Sequence, residues 1–339
     1  MRSSHHRLVR RAAAGPRAAL ALLVVLLAVL LVVAALLAAC SAQATTGGVA
    51  STGGSSGGVA ETGGASPGTS TAGGGSAGAK AASGADWAHT LQVVANLKAD
   101  PPSKPVVVLF GGSAARESTI SDSSWRAQIE AKGGPATDAY NLGSRNRTLA
   151  QSVALVQQMP TVPTIVYIGV NLGAFTSAQK SATVSLPPAA TPLPAYKQHA
   201  YSQSHLLSAS NKKLLVQAWL VDRYPVFKKT YATSAGVLES LIKACRARGM
   251  KPVLLELPRD TAIIGTQLAT PTSRYRATCA ALARKYRIPW VSFVAQAKLP
   301  NTSFYDLWHL VEPGRRVWQN LLSAKTAALL KQYGYDSGS

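Results

Sequence analysis

The sequence predicts an α/β domain: a three-layer α/β/α sandwich of flavodoxin-like type, with a parallel five-stranded sheet. Two observations carry this. Short, β-rich apolar runs alternate along the chain with longer segments of helical periodicity, the pattern of a parallel sheet covered on both faces. The composition is 47% apolar and only 14% charged over 339 residues, enough to build a sizeable core.

The first strand is Val106–Phe110, ended by Gly111-Gly112. A weaker one spans Ala136–Leu142, and a third spans Thr164–Ile168. Pro252–Leu257 is stopped by Pro258, and Pro289–Phe293 closes the set. Helical patterns cover Ser124–Lys132, Thr148–Met159, Gly236–Arg248, Arg274–Tyr286 and Pro313–Tyr333, the last with proline in its first turn. The folded domain is taken as 85–335, with 336–339 as a tail. Between the third strand and the next helix lies the long stretch Thr176–Ala235. Its beginning is Pro-rich, and it turns helical near Leu214–Val221. Long insertions in compact domains are usually functional, and a partly helical cap over the site is expected here.

Residues 1–84 read differently. The first 17 residues hold five arginines and no acid, and the apolar run Ala18–Ala39 follows. Next come Leu37-Ala38-Ala39-Cys40-Ser41. A basic stretch, an apolar stretch and small residues at a cut site make a secretory signal. The run is also long enough to span a bilayer uncleaved. Either way the rest of the chain lies outside the cytoplasm, because the positive end stays inside. Ser41–Gly84 is almost wholly Gly, Ser, Ala and Thr, and reads as a flexible tether. In an exported chain Cys245 and Cys279 are either bridged or two separately buried thiols.

The net charge is +21, which favours anionic partners. No long Lys/Arg run marks a nucleic-acid footprint. The His, Cys, Asp and Glu residues lack metal-ligand spacing. The Gly111-Gly112 turn belongs to neither a G-x-G-x-x-G nor a Walker pattern, and no cofactor is expected.

Ligands of open α/β sheets bind beyond the carboxyl ends of the strands. The residues there are Gly111–Glu117, Asn141–Asn146, Gly169–Asn171 and, after the last strand, Asp306-Leu307-Trp308-His309. This set suits acyl transfer. Ser113 needs a base to become a nucleophile. His309 is the candidate to accept its proton, and Asp306 would orient its ring. The oxyanion needs fixed donors, for which the candidates are the N–H groups of Ser113 and Gly143 and the amide of Asn171. Each residue has a plainer role open to it: Ser113 as a helix cap, Gly143 in a turn, Asn171 in a local bond, His309 in the core. Arg145, Arg147, His199 and His205 are candidate substrate contacts. Arg116 is assigned to structural pairing with Glu117 and Asp122.

In that order and after those strands, Ser113, Gly143, Asn171 and His309 resemble the four signature blocks of the SGNH (GDSL-type) hydrolases. Asp306, three residues before His309, matches that family's last block. Cys40, directly after Leu-Ala-Ala, resembles a bacterial lipobox, which implies lipidation at Cys40. The first block departs from the family in having Gly112 where an acid is usual. Gly-Ser-x-x-Arg-Glu, Asn-Leu-Gly and His-Leu-x-x-x-Gly are similar to a branch of anchored or exported proteins. Those proteins add or remove acyl groups on cell-envelope polymers. The resemblance therefore implies a serine esterase or O-acyltransferase whose substrate is an acylated polysaccharide or wall polymer. The second class of function is a non-enzymatic envelope lipoprotein of the same fold that binds anionic polymer through its charge.

Overall fold

The computed structural model describes residues 84–335. The signal segment, Cys40, the Ser41–Gly84 tether up to its last residue, and the 336–339 tail lie outside the described residues. Among the described residues, no helix is long and apolar enough to cross a membrane.

Five strands form one sheet in the order β2-β1-β3-β4-β5. They are β1 (Val106–Phe110), β2 (Asp138–Asn141), β3 (Thr164–Val170), β4 (Lys251–Glu256) and β5 (Trp290–Ser292). Every pairing is parallel. β1 and β3 are buried along their whole length, which is why they read as continuous apolar runs rather than alternating ones. Their side chains still alternate between two cores. Val106, Val108 and Phe110 face one, and Val107 and Leu109 face the other.

The first core is closed by α1 (Ala85–Ala99), α4 (Leu149–Val156), α6 (Tyr224–Ala247) and α8 (Ala269–Tyr286). The second is closed by α3 (Asp122–Ala131), through Trp125 and Ile129, and by α10 (Glu312–Gln332), through Trp318, Leu322, Leu329 and Leu330. Two of these helices start where local chemistry dictates. Ser121 caps α3 by accepting from the Ser124 N–H, and Thr148 and Gln151 form a capping box at α4. The shorter helices are α2 (Ser113–Arg116), α5 (Ala209–Ala218), α7 (Thr261–Ile264) and α9 (Val294–Ala297).

Three differences from the sequence reading matter. A helix, α1, precedes β1 where none was expected. α6 begins at Tyr224 rather than Gly236, and α8 at Ala269 rather than Arg274. The 176–235 stretch is mostly strap rather than helix up to Leu207, with one 3₁₀ turn at Gln203–His205. α5 then runs into a π-helical turn, Trp219–Arg223, and on into α6. Pro225 stands in the first turn of α6 and has no N–H to donate. Just ahead of it the Tyr224 N–H bonds back to the Trp219 carbonyl, five residues earlier.

β1 lies between β2 and β3, so the chain leaves β1 toward one side and later returns on the other. That reversal opens a crevice at the carboxyl ends of β1 and β3. The loops carrying Ser113 and Asn171 leave the sheet on either side of it.

Candidate active site

Ser113 is the first residue of α2, directly after the Gly111-Gly112 turn. A Cβ on Gly111 would stand 2.6 Å from that of Ala115, so only glycine lets the strand fold this tightly into the helix. Ser113 Oγ lies 2.8 Å from His309 Nε2, and His309 Nδ1 lies 2.7 Å from Asp306 Oδ2. Asp306 Oδ1 accepts from the Trp308 and His309 N–H groups at 2.8 and 2.9 Å. A carboxylate receiving two backbone donors is an acceptor at its other oxygen too, so Nδ1 carries the ring proton. Nε2 is then left as acceptor for the Ser113 hydroxyl. Burial pushes the Asp306 carboxyl up. The charge and hydrogen bond of His309 and the two N–H donors outweigh that, and hold it below the ordinary carboxylate range.

The triad borders a cavity of about 270 Å³. Ser113, Asn171 and His309 line it, together with Asn146, Arg147, Trp308 and, from the π turn, Trp219 and Arg223. No hydrogen bond engages the side-chain amide of Asn171 within the described residues. The Ser113 N–H opens α2 and has no intrahelical acceptor.

Gly143 is placed otherwise. Its N–H donates to Asn141 Oδ1 at 3.0 Å, and it does not line the cavity. A Cβ there would come within 2.3 Å of the Arg116 backbone nitrogen, so glycine is required by packing against α2. Further along this loop Asn146, at φ 60°, does line the cavity. Asparagine is among the few residues that tolerate the left-handed region. That tolerance, in the run Ser144-Arg145-Asn146-Arg147, was the signal available in the sequence.

Cys245 and Cys279 are both free and buried, which settles the bridge against the disulfide. Burial pushes the Cys245 thiol up to about 12 and raises Cys279 as well, so neither is a reactive thiolate. Alkylation followed by peptide mass analysis is expected to find both protected in the native protein and modified after denaturation. Dithiothreitol is expected to leave the melting temperature unchanged. Native alkylation at either position would contradict this placement.

The other candidates separate. His199 is structural: Nδ1 faces Glu117 Oε2 at 3.2 Å and Nε2 faces the Ile120 carbonyl at 2.8 Å. His205 is exposed and bonded to Ser202 and Ser204, and Arg145 is exposed; neither lines the cavity. Arg147 does line it and is buried. Arg116 pairs with Glu117 as expected, but its other partner is Asp86 of α1, not Asp122.

Around Glu117 the strap is fastened to the body of the domain. Its buried carboxylate accepts from Arg116, Arg315 and the Ala200 N–H, beside His199. Gln198 bonds the Arg116 carbonyl and Thr119 Oγ1, and Arg315 bonds the Tyr201 carbonyl. So held, Tyr201 lays its ring 4.6 Å from that of His309 and 4.4 Å from that of Tyr305. A buried lysine does similar work nearby. Lys212 of α5 donates to Asn301 Oδ1 and to the Asn301 and Phe304 carbonyls, tying the insertion to the segment just before Asp306.

No family model matches the chain, and no curated protein does. Solved structures that it resembles include TesA, 17% identical with a TM-score of 0.38, over 65% of this chain and 97% of that one. The SGNH-hydrolase family esterase AlinE4 is 15% identical with a TM-score of 0.37, over 68% of this chain and 97% of that one. A GDSL-like lipase from Bacteroides thetaiotaomicron is 12% identical with a TM-score of 0.38, over 71% of this chain and 99% of that one.

Proposed function

We propose that this chain is a serine-dependent acyl-ester hydrolase or O-acyltransferase of SGNH type. The observation that carries the reading is the continuous relay Ser113 Oγ, His309 Nε2, His309 Nδ1, Asp306 Oδ2, with contacts of 2.8 and 2.7 Å. Its contacts are of hydrogen-bond length at both steps, with the base oriented by a third group.

In the first half-reaction Ser113 Oγ attacks the acyl carbonyl while its proton passes to His309 Nε2. The oxyanion meets the Ser113 N–H and the Asn171 amide, with Asn146 replacing Gly143 as the third cavity-facing donor residue. Collapse breaks the ester bond, and His309 returns the proton to the leaving oxygen. Acyl-Ser113 remains. In the second half-reaction His309 takes a proton from water or from an acceptor hydroxyl, whose oxygen attacks the acyl carbon. Ser113 leaves and is reprotonated. Asp306 stays ionised throughout and holds the imidazolium.

For the substrate we propose an acylated carbohydrate of the cell envelope, handled outside the cytoplasm by a chain held to the membrane through lipidated Cys40 or an uncleaved helix. Hydroxyl and amide side chains line the cavity beside the indoles of Trp219 and Trp308. Such a mixture suits sugar rings better than long acyl chains.

A fluorophosphonate is expected to label the wild-type protein at one residue and to leave Ser113→Ala unlabelled. Absence of labelling in folded wild type would favour the non-enzymatic, polymer-binding reading instead. Mass analysis of envelope carbohydrate from cells carrying Ser113→Ala, compared with wild type, would test the substrate class and the direction of acyl transfer.

A further inference from the structure

We propose that the cavity beside Ser113 selects substrates bearing a negatively charged group, a carboxylate or a phosphate, held by the charges of Arg147 and Arg223. This deepens the serine-hydrolase reading and rests on it.

The charge census points one way. Both arginines line the cavity, and no aspartate or glutamate does. The nearest acid in the relay, Asp306, is already occupied by His309 and two backbone donors.

Arg147 is unlike the other buried arginines. Three are buried among the described residues: Arg116, Arg147 and Arg315. Arg116 is ion-paired with Asp86 and Glu117, and Arg315 with Glu117. Arg147 is 8% exposed and has no carboxylate partner. Its Nη1 donates to the Leu142 carbonyl, and its Nε and Nη2 have no acceptor. The guanidinium packs 4.3 Å from the centre of the Phe110 ring and 5.6 Å from that of Trp87. Phe110 is the last residue of β1, just before the turn that presents Ser113. A buried charge normally comes with a partner, because removing it from water is costly. Here the wall of a cavity carries one without. Burial lowers the Arg147 guanidinium, to about 9, so it keeps its charge at neutral pH.

Arg223 supplies the second charge, from the insertion. It is exposed, has no ion-pair partner among the described residues, and ends the π turn that Trp219 begins. Single π turns within helices are rare and concentrate at functional sites. In this one the first and last residues both line the cavity. An anion entering there meets one cation that can move toward it and another fixed in the wall.

The test compares rates of covalent labelling of Ser113 in the full chain by three fluorophosphonates of equal length. One ends in a carboxylate, one in a phosphate monoester and one in a neutral methyl ester. The anionic probes are expected to react about 10- to 100-fold faster than the neutral one, the size of one or two charge-assisted hydrogen bonds. The advantage should shrink as salt is raised. The faster of the two anionic probes identifies which anion the site prefers. Arg223→Gln and Arg147→Met should each bring the ratio toward one. A ratio is unaffected by partial misfolding, which slows all three probes alike. Equal rates in wild type would overturn the anion selectivity and leave the serine reading standing. A preference untouched by either substitution would overturn the assignment to these arginines. No labelling by any probe would overturn both readings together.

Discussion

Replacing His309 with alanine is expected to lower kcat on an aryl acetate by about 10⁴-fold, with Ser113→Ala at least as severe. Without the imidazole, Ser113 Oγ has no hydrogen-bonded base among the described residues. The two histidines of the insertion are elsewhere: His199 is bonded to Glu117 and Ile120, and His205 is exposed on the strap. Asp306→Asn is expected to cost a similar factor by a different route. An amide nitrogen facing Nδ1 would favour the tautomer with its proton on Nε2, and that atom could no longer accept from Ser113. Because the three residues act as a unit, the double variant Ser113→Ala/His309→Ala should be little worse than either single one. Steady-state kinetics on the four variants decide the matter, and wild-type turnover in His309→Ala would remove it as the base.

Glu117→Ala is expected to destabilise the domain by about 3–5 kcal/mol, the range for breaking a buried ion pair at one partner. Its carboxylate is fully buried, and its loss would leave Arg315 without a carboxylate partner and Arg116 with Asp86 alone. Urea denaturation measures the change. Acid dependence gives a second signature. Burial pushes the Glu117 carboxyl up, but the His199 and Ala200 hydrogen bonds and the two arginines outweigh it, and it ends below its ordinary value. Between the folded and unfolded values the unfolded chain binds more protons, so stability rises with pH there. This contribution is complete above the ordinary carboxylate range and is lost as pH falls through the folded value. Glu117→Gln should lose that part of the pH slope. A flat comparison with wild type would show that the carboxylate is not the hub described here. Activity should fall as well, since the same carboxylate fastens the strap that lays Tyr201 against His309.

The site was legible in part because acyl-transfer chemistry leaves local marks. Gly111-Gly112-Ser113 after an apolar run announces a serine at a strand end. Asp306 and His309, three apart, already sit close enough to bond once the loop turns. α1 left no comparable mark: it follows a glycine-rich segment, and its buried Val93, Val94 and Leu97 do not form a long stripe. The start of α6 was hidden by the helical run continuing through Pro225, which reads as a boundary in isolation.

Apolar periodicity and strand-end positions were sufficient, from the chain alone, to establish the layered parallel sheet and to nominate Ser113, Asp306, His309 and Asn171. Both are set by residues close together in sequence. Which nominated groups remain free to act was decided only in three dimensions. His199 is engaged by Glu117 and Arg147 by no acid, because each depends on what distant segments bring alongside, whereas the Gly143 N–H is taken by the Asn141 side chain two residues back. A hydrogen bond or ion pair forms between groups that packing makes neighbours, and burial decides its strength, so neither can be read from spacing along the chain.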